Sequence, residues 1–235
     1  MKKSHIATLI VFLILIPLTL ILGSRLSGRA FYVTSTLVIV ELLIPFFLAF
    51  EGRRPQAREL VVLAVMCALA VAGRVAIPIP SFKAIFGIIM IAGIAFGPES
   101  GFLVGAISAL ASNFFYSQGP YTPWQMMAYG AGGMLAGFVF AQGRLPRKPV
   151  IMGIFGFLTV TFFVGPLLDT CSVFLVMSRI TLKGAMAFYI SGFPVNLRQA
   201  VATAIVLLVL GKPLLEKLDR IKTKYGILDD GGKEA

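Results

Sequence analysis

Residues 113–126 read NFFYSQGPYTPWQM. The stretch joins two apolar runs, 99–115 and 123–141. It holds the only Trp of the chain, two of its six Tyr and two of its thirteen Pro. Gly119-Pro120 and Pro123 set a rigid turn, with Pro123 at the favoured first position of a helix. The chain therefore leaves one apolar helix, turns through a cap of aromatics and amides, and enters another.

Working outward, composition gives the class. Of 235 residues, 58% are hydrophobic and only 13% charged, against about 25% charged in soluble domains. Twenty Phe and 24 Gly agree with this, because Gly is enriched in membrane helices. The fold class expected is an all-α integral membrane protein. The net charge of +11 sits in short loops between apolar spans, with no basic patch interleaved with aromatics. It reads as topology, not nucleic-acid binding. Cys67 and Cys171 lie in apolar runs and read as small buried hydrophobes. The single His5 cannot build a catalytic or zinc site alone, and no metal or cofactor is expected.

A helix crossing the hydrocarbon needs about 20 mostly apolar residues. Eight segments qualify: 6–22, 35–50, 60–77, 82–96, 99–115, 123–141, 150–177 and 194–211. The fourth is short and ends at a Gly97-Pro98 turn. The seventh is long, and Gly165-Pro166 predicts a kink in it. The first follows Lys2 and Lys3 but lacks a small-residue cleavage site, so it reads as a retained anchor. With both termini cytoplasmic, fourteen basic residues fall inside: Lys2, Lys3, Arg53, Arg54, Arg58, Arg144, Arg147, Lys148 and the six from Lys212 to Lys233. Five fall outside: Arg25, Arg29, Lys83, Arg179 and Lys183. The positive-inside rule favours this multi-pass orientation in the cell membrane, and it puts residues 113–126 on the outer face. The organisation predicted is two N-terminal transmembrane helices (1–50), a cytoplasmic linker (51–59), a six-helix core (60–211) and a cytoplasmic tail (212–235). In the tail, Leu214, Leu215, Leu218 and Ile221 recur at helical spacing, and the terminal DDGGKEA is expected to fray.

Several chemistries are absent. Gly211-Lys212 is followed by Pro213, so there is no phosphate-binding loop for ATP. There is no H-E-x-x-H and no G-x-S-x-G. Ser108 and Ser112, without a His partner, read as packing residues. The chain is not expected to be an enzyme.

Other features are present. Ala64, Ala68, Ala72 and Ala76 fall four apart and form a small-residue stripe on one helix face. Such a stripe lets a second helix approach closely in lipid. Two partners fit it: a neighbour within the core, or a separate membrane protein. Charges inside spans are costly and usually functional. Arg74, Asp169 and Arg198 come out at similar depth, below the outer surface. Either Asp169 pairs with one of the arginines, or all three converge on a polar ligand. Glu41, mid-span, is either a proton carrier or a protonated acid bonded to another helix. The outer connections 78–83 (PIPSFK), 116–122 (YSQGPYT) and 178–193 add Phe82, Tyr116, Gln118, Tyr121 and Tyr189. Trp124, Gln125, Asn113 and Asn196 lie beside them. An interface belt of aromatics would not need the amides. A ligand pocket, with apolar walls and a few placed polar groups, would use both.

These residues carry a resemblance. An Ala-x-x-x-Ala stripe after a basic ARE segment, a short helix with a Gly-Pro turn (FGPESGFLVGAISALASNFF) and the connection SQGPYTPWQM resemble the S components of energy-coupling factor (ECF) transporters, substrate-capturing subunits of vitamin importers. The resemblance covers about 60–211; the two N-terminal helices depart from the family's six-helix pattern. It implies partners: a transmembrane coupling protein and two cytoplasmic ATPases, which supply the missing phosphate loop. It implies that Ala64, Ala68 and Ala72 are the coupling stripe. It implies that substrate enters from outside, under the 78–83 loop, and is delivered by toppling of the subunit in the bilayer. The residues expected to bind substrate are Arg74, Phe82, Asn113, Tyr116, Gln118, Tyr121, Trp124, Gln125, Asp169, Asn196 and Arg198. The subgroup most resembled is that linked to cobalamin; riboflavin, folate and a queuosine precursor are alternatives. Two other functions are open: a proton-coupled secondary transporter using Glu41 or Asp169, and a non-transporting membrane scaffold.

Overall fold

A computed structural model of the chain describes residues 14–15, 18–19, 30–52, 57–141, 143–177 and 179–226. Most of the first expected span, part of the 51–59 linker and the DDGGKEA terminus lie outside the described residues. Among those described the chain is all helical. Its helices are α1 (Ala30–Gly52), α2 (Ala57–Val75), α3 (Ile85–Phe96), α4 (Pro98–Tyr116), α5 (Thr122–Ala136), α6 (Pro149–Thr159), α7 (Gly165–Val176) and α8 (Leu182–Tyr225). The α6–α7 run and α8 are each long and apolar enough to cross a bilayer unaided. Outward faces are apolar as well: Val61, Phe114, Ile154, Phe162 and Val209 are exposed. A bundle in water would place charge there.

The core is built around α3. Every residue of this 12-residue helix is buried, as expected of a helix that is hydrophobic all round. Glycine lets its neighbours close on it. A Cβ on Gly93 would sit 2.1 Å from the Gly133 carbonyl oxygen, and one on Gly101 2.5 Å from the same atom. The backbones of α3, α4 and α5 therefore touch, which in lipid replaces the missing hydrophobic drive. Gly97, at φ +92°, turns α3 into α4, and Pro98 starts the new helix, as the Gly-Pro pair predicts. Pro123 likewise opens α5.

The kink expected at Gly165-Pro166 has a defined form. A π-helical turn, Val160–Val164, lies between α6 and α7. Pro166 lacks an N–H and its ring crowds the carbonyl four residues back; a widened turn just before it relieves both. A second π turn, Gly137–Ala141, ends α5.

Two expectations are corrected in α8. Residues 178–193 were expected to be an open connection, and 194–211 a separate span. Instead helix runs unbroken from Leu182 to Tyr225 through Pro194 and Pro213, a length of about 66 Å. Thr181 caps it, accepting from Gly184 N at 3.2 Å, and the helix formers Leu182, Lys183, Ala185, Met186 and Ala187 outweigh the two glycines. At the far end Leu215 and Leu218 are buried, with Leu214 and Ile221 packed on the core. The amphipathic tail is thus the last turns of α8.

Candidate functional site

The loop ends separate by chemistry. At one end Arg147 meets Asp219 at 3.4 Å and donates to the Ile94 carbonyl at 3.2 Å. Lys222 donates to the Ala95 carbonyl at 2.7 Å, and Arg58 to the Tyr225 carbonyl at 3.4 Å. Cations thus finish carbonyls at the C-terminal ends of α3 and α8 that lack a partner within the helix. These are residues the charge count assigned to the inner side.

The opposite end holds Arg74, in the last turn of α2. Its guanidinium donates to Ser112 Oγ, and to Asn113 Oδ1 at 2.9 Å. Its charge lies 4.9 Å from the ring centre of Tyr116 and 5.7 Å from that of Tyr129, within cation–π range. Tyr116 also returns a hydrogen bond to the Arg74 carbonyl, at 3.0 Å. Asn113 is fully buried. Its amide donates to Gln125 Oε1 at 2.8 Å and to Thr122 Oγ1 at 3.1 Å. Thr122 in turn donates to Gln118 Oε1 at 2.9 Å, and Gln118 donates to the Leu110 carbonyl. Arg74, Asn113, Tyr116, Gln118 and Gln125 are thus one connected network across α2, α4 and α5. Ser112, read from sequence as packing, is corrected: it accepts from Arg74. Tyr129 was not foreseen, although it lies four residues past Gln125 on the same helical face. Phe86 meets Tyr129 edge-on, with ring centres 4.5 Å apart.

Asp169 and Asn196 form a second cluster, between α7 and α8. Asn196 Nδ2 donates to Asp169 Oδ2 at 2.7 Å. Pairing of Asp169 with Arg74 or Arg198 is therefore corrected, and Arg198 is exposed. Gly192 makes room for the carboxylate: a Cβ there would lie 2.2 Å from Asp169 Oδ1. No hydrogen bond joins the two clusters among the described residues. Above them the connection containing Phe82 is tied down. Gln199 on α8 donates to the Lys83 carbonyl at 2.7 Å, and Lys83 donates to the Ile77 carbonyl. Phe82 is half-buried in the turn it closes.

Trp124 turns sideways into the bundle, not out of it. It is 8% exposed and stacks on Phe174 at 5.7 Å and 27°. Ile39, Cys171 and Tyr121 complete its surroundings. Its indole N–H is buried without a protein acceptor among the described residues, and a buried donor left unpaired is rare. Both cysteines are free and buried.

Ala64, Ala68, Ala72 and Ala76 are all exposed, while Leu63, Met66, Cys67 and Ala70 face inward. Among the described residues nothing buries the stripe. Beside it, Cys67, Ala68, Val71, Ala72, Ala111 and Phe115 line an open apolar groove of about 480 Å³ between α2 and α4.

The sequence model of one family, the S component of the ECF-type riboflavin transporter, matches residues 55–216. The chain belongs to this family. It is a membrane-embedded transport family and not an enzyme class, and its S components associate with ECF coupling and ATPase modules. The match runs from the start of α2 to within the last turns of α8, so it takes in both polar clusters and the alanine stripe of this S component. The family description names riboflavin and gives no support to the cobalamin subgroup. No curated protein and no solved structure matches the chain.

Proposed function

We propose that the chain is the substrate-binding subunit of an ECF-type importer that captures a vitamin outside and delivers it inward by toppling with a coupling protein and two ATPases. The observation that carries this reading is the constellation at one end of the family-matched body. There a buried indole N–H lacks an acceptor among the described residues, and Arg74 is held between two tyrosine rings beside a chain of amides. Apolar walls with a few placed polar groups make a ligand site. Riboflavin stands first among substrates. The family is named for it, and a flat ring system with a polar edge suits aromatics and amides better than a cluster of charges. The orientation with both termini cytoplasmic and two helices ahead of a six-helix core belongs to the same reading. The proton-coupled alternative has less behind it, because it uses neither the indole N–H nor the Arg74 network.

The test is a thermal-shift screen of the purified chain against riboflavin, cobalamin, folate and thiamine. A ligand at 100 times its Kd stabilises a protein by about 2.7 kcal/mol. A riboflavin-specific shift is expected, and silence across the panel sinks the reading. The exposed stripe adds a second test. Ala68→Trp should abolish copurification with a coupling module while the riboflavin shift stays within about 1 °C of wild type, since a surface change away from the site perturbs stability little.

A further inference from the structure

Helix α1 ends before the family match begins at residue 55. It nevertheless packs on the 117–121 turn and on the residues around Trp124. Thr36 Oγ1 donates to the Pro120 carbonyl at 3.2 Å, in the middle of the polar turn between α4 and α5. Ile39, 7% exposed, is buried against the group that encloses Trp124. Leu43, 5% exposed, packs with Phe102 and Ala106 of α4. Positions 36, 39 and 43 recur at i, i+3 and i+7, which places them on one helical face. That face runs along α4, α5 and α7 and ends on the turn. Its exposed side carries Val33, Leu37, Val40, Ile44 and Leu48, a surface suited to lipid. Removing α1 would open the side of Trp124 opposite the family-matched helices.

We infer that α1 is a positioning element of the binding body: Thr36 fixes the 117–121 turn, Ile39 fixes Trp124, and together they set the affinity of the pocket. The inference rests on the proposed function, which makes Trp124 and the turn part of the pocket. It differs from an anchor in a measurable way, because an anchor could be loosened without changing ligand binding.

Trp124 is the only tryptophan, so its emission reports the contact directly. The full chain in nanodiscs is compared with Ile39→Ala, Thr36→Val and Thr36→Ser. Riboflavin binding is followed by loss of the vitamin's own fluorescence, and stability by the ligand-free melting temperature. Ile39→Ala should shift Trp124 emission to the red, raise its quenching by acrylamide and weaken binding roughly tenfold, since deleting buried methyl groups leaves a space the ring can enter. Thr36→Val should weaken binding about threefold by losing one hydrogen bond, and Thr36→Ser should restore it. A purely structural role would lower the melting temperature and leave emission and Kd of the folded protein unchanged; that result, or a wild-type Kd in Ile39→Ala, overturns the inference. If the wild type binds no vitamin, the proposed function fails and the affinity claim with it. Emission then decides whether α1 covers Trp124.

Discussion

The two ends of the bundle use positive charge differently. At one end Arg58, Arg147 and Lys222 each reach the carbonyl of a helix end. They tie one helix end to another segment through its last carbonyls, where a cation is favoured. At the other end Arg74 has side-chain partners, Ser112, Asn113 and two tyrosine rings, and these are themselves engaged. One end is finished by its cations; the other is organised by one. The charge that shapes a site is the one whose partners are several side chains with partners of their own.

The largest effect should come from the seam both ends share. Gly101→Leu puts side-chain atoms where the Gly133 carbonyl and the Gly93 Cα already lie. Backbone cannot yield as a side chain does, so the cost should reach about 3 kcal/mol or more. Loss of the monodisperse peak in size-exclusion chromatography is the expected result. A well-folded variant would mean that α3, α4 and α5 are not in backbone contact.

Arg74→Leu separates the ends. It removes charged hydrogen bonds each worth about 1.5–3 kcal/mol and leaves Asn113 buried with one acceptor unpaired. Riboflavin affinity should fall roughly 30- to 100-fold, with the protein still folded, as isothermal titration would show. The smallest effect should come from Arg147→Ala. The Arg147–Asp219 pair is half-exposed, and such pairs contribute about 0.5–1 kcal/mol. A small drop in melting temperature with unchanged riboflavin affinity is expected. An Arg147 effect on binding as large as that of Arg74 would erase the distinction between the ends.

Local features of this fold were legible because their causes are local. Gly97-Pro98 and Pro123 mark helix starts wherever they stand. The tail leucines show their face by period alone. Helix 182–193 is hard to read from sequence because Gly184, Ser191 and Gly192 are weak helix formers. In fact Gly192 is small because Asp169 lies against it, a reason visible only in three dimensions. Glu41 accepts a hydrogen bond from Thr19, a pairing that no period along one helix encodes.

By itself, the sequence determined an all-helical apolar chain, the small-residue stripe on α2 and the gathering of amides and aromatics in residues 113–126. Each depends on composition or on spacing along one helix, which the backbone geometry fixes. Only the tertiary structure decided that Asp169 bonds to Asn196, that Arg74 bonds to Ser112, that Trp124 turns inward onto Phe174 and that α1 closes over it. These depend on how each helix is rotated against its neighbours. That rotation is set by which glycines let backbones touch, such as Gly93 and Gly101 on Gly133, and no period along a single helix encodes it.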